Sequence, residues 1–594
     1  MKHLLTMLFA ILIASQSIAQ TAIDILEKDH GISRKSRKGY LGQVTASNAA
    51  GTFDLIFVLK PTAKKIPFEI YTFDKDLNLI KTTKDEEERE KLNRKWKWFK
   101  FKGEDYESKS VYVRANMKGQ LVLREKSIKW KWSWFRGGYS IKTKTGPQIK
   151  PKNEAGEKYD YWGGFYDNDD EGNILVPAYD KGTDHGSAHI LKVDGEGEVT
   201  DVSKFTMPKN RNPVFSAALE GELNTDGKSE KPDWILLFAA SKGSEGSEQD
   251  YTYLRVDGEG VIKEQKEFQV KNAPWYISGA IQKNGEVFFY GPSIDKAKYS
   301  SKVLGNIVPT TSDEDAEDKQ IGKNQGGGIF GAIKNIKNVV SGEAFLQTQE
   351  DIDKRLDEMK YSNFQIAKIS DNKLVYLNNP TIKDINKGVV KPDGQKKESE
   401  FDGKKFITTN AQISSDKNFL ISGQDFSTDK KLGREYKDVF LLQFDAEGNY
   451  KHFYGVKLDQ KKFSKFFHKG LFPQQFNASS MMIESTDKKK MYWMIGECKN
   501  IDTDTDVDVD YNYVTGVQTT SIRTSQNGLY TIQYGALDLV NGTASEFKVL
   551  GDDEKRNYYL FPNHNALRLN QYQIFISETT KGDRILLSRF DLSK

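Results

Sequence analysis

The sequence predicts an all-β protein, a single closed β-propeller of seven or eight four-stranded blades, on the strength of three observations. A two-part unit recurs along the 594 residues. In it, a turn leads into an apolar strand, and 21 to 29 residues later a second strand runs into an aspartate-led turn. The 48 glycines and 29% charged residues favour short strands joined by many turns over helical bundles. A repeating β unit of about 40–60 residues that cannot bury both faces alone must stack on its neighbours, as propeller blades do.

The units follow one another in chain order, each justified by its own turn and strand. The first parts are GTFDLIFVLK from Gly51, GNILVPAYD from Gly172, KPDWILLFAA from Lys231, DKNFLISGQ from Asp416 and NQYQIFISE from Asn570. The matching aspartate turns are at Asp74, Asp194, Asp257, Asp445 and Asp591. Two further units, near 285/371 and 489/538, are stretched by insertions. WKWFKFK and the hairpin VYVRANMKGQLVL form another candidate, and accepting or rejecting it gives eight or seven units.

A closed ring would require the beginning of the chain to supply one strand of the last blade. The sequence stops at Lys594, just after the last aspartate-led turn, with no residues left for the outer strand of the final unit. Unpaired strand edges invite association, so the opposite end of a closed propeller commonly supplies the missing strand. We therefore expect the segment GYLGQVTAS from Gly39 to complete the last blade.

The first residues read as an export signal followed by a lead-in. Lys2 and His3 precede an apolar run, and Ser17 to Ala19 offer small residues for cleavage, which predicts a signal peptide over residues 1–19. Residues 20–38 are weakly patterned and predict a lead-in segment, with the propeller spanning 39–594. The chain is expected to be exported, to the periplasm, the cell surface or the medium. No second apolar run is long enough to predict a transmembrane segment.

Two insertions interrupt the predicted blades. Residues 295–362 contain an acidic stretch, a triple glycine and then apolar residues at helical spacing, predicting a partly helical, flexible insertion near 300–360. A helical hairpin on the propeller surface, a lid or partner-binding helix, and a membrane-surface helix are the alternatives. Residues 500–526 predict an acidic hairpin insertion.

A basic, tryptophan-rich segment is the sharpest local signal. Residues 94–152 contain 17 lysines and arginines against four acidic residues. The candidate ligand-binding residues in this segment are Trp96, Trp98, Trp130, Trp132, Trp134, Lys129, Lys131 and Arg136. Strand alternation puts Trp130 and Trp132 on one face and the two lysines on the other. Tryptophans packed between blades are one interpretation, and a surface for a sugar ring or an anionic polymer is the alternative. Nucleic acid is not an expected partner of an exported chain.

The run DTDTDVDVD alternates carboxylates along a predicted strand. Its candidate metal ligands are Asp502, Asp504, Asp506, Asp508 and Asp510. Five carboxylates on one strand face repel one another unless a cation such as Ca²⁺ neutralises them. A solvated hairpin is the alternative, because the run lacks the glycine and distal glutamate of the helical calcium loop. We therefore expect no cofactor, with calcium as the one exception.

Other side chains suited to chemistry form no recognised motif. His185 and His189 are four residues apart, but they enter a strand, where that spacing does not bring two rings together. Cys498 is the only cysteine, so the chain forms no internal disulfide, and a buried structural thiol is the favoured interpretation. No nucleophile elbow, phosphate-binding loop or dinucleotide fingerprint is present. These observations lean away from an enzyme.

The hairpins FDAEGN, VDGEGE, VDGEGV and, more loosely, FDKDLN resemble those of exported bacterial β-propeller repeat proteins of the Bacteroidetes type. The resemblance implies an extracytoplasmic propeller that acts as a non-catalytic binding or scaffold module for an envelope protein or glycan. The alternative is a polysaccharide-binding or carbohydrate-active protein that uses the Trp/Lys-rich segment. The resemblance carries over no catalytic residue, and the sequence does not define an oligomeric state.

Overall fold

The computed structural model describes residues 24–593 with gaps, the longest at 89–105, 162–172, 220–231, 294–360, 459–477 and 551–565. The predicted signal peptide and the helical insertion both fall outside the described residues. Within them the protein is all-β, as the sequence predicts, and no described helix is long and apolar enough to cross a membrane. The chain forms two compact units. The first comprises Met1–Glu88, Pro392–Lys396 and Ser479–Lys594, and the second comprises Arg89–Lys391 and Lys397–Ala478.

The first unit contains three sheets. One has strands β1 (Asp24–Gly31), β31 (Ala566–Leu569), β32 (Tyr572–Glu578) and β33 (Arg584–Asp591) in the order β1-β33-β32-β31. The next is the meander β2 (Tyr40–Ser47), β3 (Thr52–Val58), β4 (Lys65–Asp74) and β5 (Leu79–Glu88). The third is β26 (Ser479–Glu484), β27 (Met491–Asn512), β28 (Val517–Asp538) and β29 (Thr543–Ala544), with β30 (Lys548–Val549) also on β28.

The second unit contains five sheets. The first of these sheets consists of β6 (Tyr106–Ala115), β7 (Leu121–Ser133) and β8 (Gly138–Ile149). The second consists of β9 (Tyr159–Tyr161), β10 (Ile174–Asp180), β11 (Ser187–Val193) and β12 (Val199–Thr206). The third sheet consists of β13 (Arg211–Leu219), β14 (Asp233–Ala240), β15 (Glu248–Val256) and β16 (Ile262–Lys271). The fourth consists of β17 (Gly279–Lys283), β18 (Glu286–Ser293), β19 (Asn363–Ser370) and β20 (Lys373–Asn378). The last is β22 (Phe406–Ile413), β23 (Phe419–Asp429), β24 (Gly433–Phe444) and β25 (Tyr450–Val456), with the short β21 (Val389–Val390) parallel to β25. A single described α-helix, α1 (Ile382–Asn386), is capped by the Thr381 side chain.

Each sheet has two unlike ends. At one end, which we call the turn end, the first strand connects to the second and the third to the fourth. At the other end, the loop end, the second strand connects to the third. Sheet β17–β20 shows the contrast: residues 284–285 join β17 to β18, whereas residues 294–362 join β18 to β19. The predicted long insertion is therefore a loop-end connection.

The recurring aspartate motif forms the turns between third and fourth strands. The Asp445 carboxylate accepts hydrogen bonds from the backbone N–H groups of Glu447 and Asn449, and Asp74 and Asp257 make equivalent bonds. Gly448 has a φ of 79°, a conformation that glycine adopts without steric cost. Burial alone would raise the pKa of Asp445, but hydrogen bonds and Lys451 lower it. The motif thus encodes a turn, which is why it repeats.

Neighbouring sheets pack face to face within each unit. In the second unit, one apolar cluster joins β13–β16 to β17–β20, and another joins β17–β20 to β22–β25. In the first unit, sheet β31–β33 packs against β2–β5 on one side and against β26–β28 on the other. The first strands of adjacent sheets lie side by side, β2 beside β31 and β17 between β13 and β22.

The structure corrects the predicted strand exchange in one respect. The beginning of the chain does complete the last sheet, but through β1, which pairs from Asp24↔Asp591 to Gly31↔Arg584. The segment from Gly39 instead provides β2, the first strand of the next sheet. Residues 24–31, expected to be part of a lead-in, are therefore a strand. Their apolar pattern is too short to show on its own, and pairing with β33 stabilises them.

Parts of the predicted acidic hairpin and of the candidate eighth unit lie in paired strands, whereas WKWFKFK lies outside the described residues. β27 and β28 pair continuously as far as Asn512↔Val517, so the predicted hairpin over 500–526 extends the second and third strands of its sheet. The segment VYVRANMKGQLVL forms part of β6 and β7 in the three-stranded sheet β6–β8. Counting this sheet, the described residues contain eight sheets.

A buried carboxylate ties the segment after β1 to sheet β2–β5. Glu69 is 4% exposed and accepts hydrogen bonds from the hydroxyls of Ser33, Ser36 (2.5 Å) and Tyr71 (3.0 Å). Burial alone would raise the pKa of Glu69, but these hydrogen bonds outweigh it and hold the pKa below its ordinary value of 4.5. The ionised carboxylate is therefore the form that stabilises the fold.

This arrangement predicts a pH-dependent contribution of Glu69 to stability. Because its folded-state pKa is depressed, the contribution is complete above about pH 4.5 and is lost as pH falls through the folded pKa. Glu69→Gln should lower the free energy of unfolding by about 1.5–3 kcal/mol at pH 7, and the difference from the wild type should shrink by pH 3. Urea unfolding at both pH values measures it. A difference that stays constant with pH would contradict the assignment.

Candidate functional site

The loop ends of the sheets contain many of the buried polar side chains. Glu69 lies near the start of β4, Gln365 near the start of β19, and Glu497 beyond the last β26 partner on β27, and all three are at most 4% exposed. Buried polar groups of this kind cost free energy unless they are hydrogen-bonded or functional. The turn ends also have buried polar groups, such as Arg589, but that residue is held by the turn carbonyl of Lys75 and the carboxylate of Asp76.

Another buried polar group is a histidine between two carboxylates in sheet β9–β12. His189 Nδ1 lies 2.7 Å from Asp201 Oδ2, and its Nε2 lies 3.4 Å from Asp180 Oδ2. The Tyr159 hydroxyl donates to the same Asp201 oxygen over 3.2 Å, and its ring contacts the imidazole edge-on at a centroid distance of 5.0 Å. We call Asp180, His189, Asp201 and Tyr159 the histidine cluster.

Strand register brings these four residues together from four strands. Tyr159 opens β9, directly opposite Asp180 at the end of β10. His189 is the third residue of β11, opposite Ala178 on β10, whose small side chain leaves room beside the ring. Asp201 lies on β12 next to a register shift between Ile190 and Leu191, which moves its pairing by one residue. Such bulges commonly re-aim a side chain at functional sites.

Both ring nitrogens of His189 face carboxylate oxygens. A neutral imidazole carries one N–H and one acceptor nitrogen, whereas a carboxylate only accepts. The His189 side chain is 5% exposed, and Asp180 and Asp201 lie at its two different ring nitrogens.

The cluster presents one of its carboxylates to solvent. The Asp201 side chain is 40% exposed, against 18% for Asp180. The contacts described for Asp201 are all made by Oδ2, so Oδ1 is the atom that can meet a substrate. A fixed, charged carboxylate in this position can accept a proton from a water molecule or a substrate hydroxyl.

A second polar group lies at the loop end of sheet β17–β20. Gln365 is fully buried opposite Gly291, and within the described structure neither of its amide atoms has a hydrogen-bond partner. The Asn363 Oδ1 and Tyr361 hydroxyl are likewise without one. Each such group costs about 1–3 kcal/mol, so this end of the sheet is held in a conformation that its polar groups alone do not favour.

The tryptophan-rich candidates are divided between described and undescribed parts of the chain. Trp96, Trp98, Trp134 and Arg136 lie outside the described residues. Trp130 is opposite Tyr106 on β6 and Ile141 on β8, while Lys129 is opposite Glu107 and Lys142. The backbone is thus that of a regular paired strand at these positions. The role of the tryptophans and lysines in ligand binding stays a prediction.

The aspartate run occupies alternate positions of β27. Asp502, Asp504, Asp506, Asp508 and Asp510 are opposite Asn527, Ser525, Arg523, Ser521 and Thr519 of β28. In the part of the chain that the structure describes, no three His, Cys, Asp or Glu side chains converge as metal ligands.

The histidine cluster was not predicted from the sequence. His189 was considered only with His185 as a metal ligand, and the structure gives it two carboxylate partners instead. Asp180 is 9 residues from His189 and Asp201 is 12 residues away. A sequence signal exists only for Asp180, a charged residue that ends the buried apolar strand ILVPAYD, because His189 lies within SAHILKV and Asp201 within VTDVSKFT.

Comparison with known proteins gives only remote structural likenesses. No family model and no curated protein matches the chain. An apocarotenoid oxygenase mutant from Synechocystis is 8% identical, covers 79% of this chain and 96% of its own, and has a TM-score of 0.28. A chimera of that oxygenase with RPE65 is 7% identical over 84% of this chain and 94% of its own, with a TM-score of 0.28. A cobalt-substituted form of the Synechocystis protein is 8% identical over 75% and 96%, with a TM-score of 0.27.

Two expectations from the sequence are corrected at this point. A non-catalytic binding or scaffold module, or a polysaccharide-binding or carbohydrate-active protein, was expected, whereas the similar structures are named as oxygenases. No cofactor other than calcium was expected, whereas one of those proteins was solved with cobalt. At these TM-scores the likeness transfers neither activity nor metal to this chain. The described side chains do not form a metal-ligand set, so we derive no step through a metal.

Proposed function

We propose that this chain is a single eight-bladed β-propeller enzyme, a hydrolase whose proton acceptor is Asp201. The carrying observation is the histidine cluster, in which an exposed carboxylate is held by a buried imidazole and a tyrosine hydroxyl. The fold part of the proposal rests on eight sheets in chain order, on first strands that lie side by side, and on β1 completing the last sheet.

Each residue of the histidine cluster has a separate role in the proposal. His189 Nδ1 lies 2.7 Å from Asp201 Oδ2 and fixes the carboxylate. Asp180 lies at the other ring nitrogen, so the ring has one stable orientation. The Tyr159 hydroxyl donates to the same Asp201 oxygen, and Oδ1 is the oxygen left for a substrate.

Hydrolysis by this group follows a simple sequence. Asp201 takes a proton from a water molecule while the water oxygen forms a bond to the electrophilic atom of an ester. The bond to the leaving oxygen breaks with its electron pair, and that oxygen takes a proton from solvent or from Asp201. A positioned general base contributes about 10²–10⁴-fold to such a step.

Asp201→Asn tests the proposal directly. The amide keeps the shape and one acceptor oxygen but is not a base, so kcat/KM on p-nitrophenyl acetate, phosphate or sulfate should fall by about 100-fold or more. Glu198→Gln, an exposed change in a turn of the same sheet, should leave the rate unchanged. Thermal melting of both variants checks that the fold is intact. Equal rates for the wild type and Asp201→Asn, or no hydrolysis of the three esters by the wild type, would overturn it.

A further inference from the structure

Several uncharged polar atoms at the loop end of sheet β17–β20 are buried and have no hydrogen-bond partner among the described residues. They are Nε2 and Oε1 of Gln365, Oδ1 of Asn363, Oγ of Ser278 and the hydroxyl of Tyr361. Gln365, Asn363 and Tyr361 are at most 4% exposed as whole residues. We call Gln365, Asn363, Ser278 and Tyr361 the amide cluster.

Strand register brings three members of the amide cluster to one place. Asn363 and Gln365 are two residues apart on β19, so their side chains share one face and are about 6–7 Å apart along the strand. Gln365 is directly opposite Gly291 on β18. The backbone nitrogen of Ser278 would lie only 2.8 Å from a Cβ at Gly291. Residues of β19 and of the segment before β17 therefore meet at Gly291.

Tyr361 completes the cluster from the residues that precede β19. Its ring centroid lies 6.3 Å from that of Tyr276, whose carbonyl oxygen would lie 1.9 Å from a Cβ at Gly291. Burial raises the pKa of Tyr361 well above its ordinary value of 10, so the hydroxyl keeps its proton. It can therefore both donate and accept a hydrogen bond.

Gln365 lies on the face of β19 that packs against sheet β13–β16. Ala367 and Ile369 follow Gln365 at alternate positions of the strand, and both belong to the apolar cluster that joins the two sheets. Trp275, immediately before Tyr276, is fully buried in the same cluster. The polar groups are thus enclosed beside an apolar core, where an unpaired amide costs more free energy than at a surface.

The chemistry of the cluster defines the ligand that fits it. The four side chains are uncharged, so they do not match an anion or a cation. The Gln365 amide nitrogen donates, the amide oxygens of Gln365 and Asn363 accept, and the two hydroxyls do either. A matching ligand is therefore neutral, small enough for a buried place, and able to donate and accept. Internal water has these properties and makes about three hydrogen bonds to buried polar groups.

We propose that the amide cluster is a binding site for internal water, about two molecules by the number of hydrogen bonds that a buried water makes. These molecules connect Gln365 and Asn363 of β19 with Ser278 and Tyr361. They therefore link the third strand of the sheet to the segment before its first strand, across Gly291 of β18. The proposal is independent of the proposed hydrolase function, because none of these residues belongs to the histidine cluster.

Oxygen-17 relaxation dispersion of the solvent, which counts long-lived internal water, tests the proposal on the full chain. Gln365→Leu keeps the length of the side chain but removes both amide atoms, so it should lose about two long-lived water molecules. Ile366→Val is the matched control, because Ile366 is the next residue and packs on the opposite face of β19. It should keep the wild-type count. Equal counts for the wild type and Gln365→Leu, or an equal loss in Ile366→Val, would overturn the proposal.

The sign of a stability change gives a second test that needs no change of packing. Tyr361→Phe removes only the hydroxyl, so it should lower the melting temperature by about 1–4 °C if water pairs that group. An unpaired hydroxyl would be a burden, and its removal would raise the melting temperature instead. Tyr454→Phe is the reference, because the buried Tyr454 hydroxyl donates to Gln443 Oε1 over 3.1 Å. Its loss should resemble that of Tyr361→Phe, whereas a Tyr361→Phe variant that melts at or above the wild-type temperature would contradict bound water.

Discussion

Trp275→Ala is expected to lower the free energy of unfolding of the second unit by about 3–5 kcal/mol, the usual range for a large aromatic side chain removed from a core. Trp275 is fully buried in the cluster that joins sheets β13–β16 and β17–β20, where its ring contacts Tyr251 edge-on. Its Nε1 donates to the Gly291 carbonyl over 3.1 Å. The substitution leaves both a cavity and an unpaired carbonyl.

Two other substitutions separate these effects. Trp275→Phe keeps most of the ring volume and removes only the hydrogen bond, so it should cost about 1–2 kcal/mol. Val540→Ala, at a side chain that is 86% exposed, should change stability by less than about 0.5 kcal/mol. Urea unfolding monitored by circular dichroism gives the three values. Equal costs for Trp275→Ala and Trp275→Phe would contradict a role for Trp275 in packing the two sheets.

The geometry around Gly291 shows how closely the segment before β17 approaches β18. A Cβ on Gly291 would lie 1.9 Å from the Tyr276 carbonyl oxygen and 2.8 Å from the Ser278 nitrogen. Only glycine allows the segment before β17 to approach β18 this closely. Trp275 is held over this contact by its hydrogen bond and by the bridge between its backbone and that of Ser293. The close approach of the backbone at Gly291 and the position of the Trp275 side chain therefore depend on each other.

Deletion of residues 1–31 is expected to unfold the last sheet of the first unit. β1 pairs with β33 at eight positions, and without it β33 would present an unpaired edge. Ile25 and Leu26 pack on the two apolar clusters that flank this sheet. Exposed edges promote aggregation, so we expect a soluble yield at least tenfold lower and a melting transition that is broadened or lost.

Adding the missing strand in trans sharpens this test. A synthetic peptide of residues 22–33 should restore the melting transition of the truncated chain, because strand addition supplies main-chain hydrogen bonds and alternate side-chain pockets. A scrambled peptide of the same composition is the control. A truncated chain that is soluble and melts like the full-length protein would show that β1 contributes little to the fold.

Some structural features are determined locally and were accessible from the sequence. The aspartate turns depend on a carboxylate that bonds backbone groups two and four residues away, with a glycine at positive φ. The hairpins at 116–119 and 500–526 follow from alternating strands that flank turn residues. The separation of Trp130 from Lys129 onto opposite faces needs only the period of a strand.

The identity of the closing strand was beyond that reasoning. Both Asp24–Gly31 and Tyr40–Ser47 have eight residues of mixed polarity, and neither pattern favours one partner. The choice depends on burial of Ile25 and Leu26 between two neighbouring sheets, which is a property of distant residues. Pairing between residues more than 500 positions apart produces no recognisable pattern in the sequence of either segment.

By itself the sequence determined the all-β class, the repeating strand-and-turn units, and the faces on which strand residues lie, because these follow from interactions within a few residues. Tertiary structure alone decided that β1 completes the last sheet and that Asp180 and Asp201 flank His189. Each of these depends on register between strands, and register is settled by apolar burial between sheets rather than by any single segment.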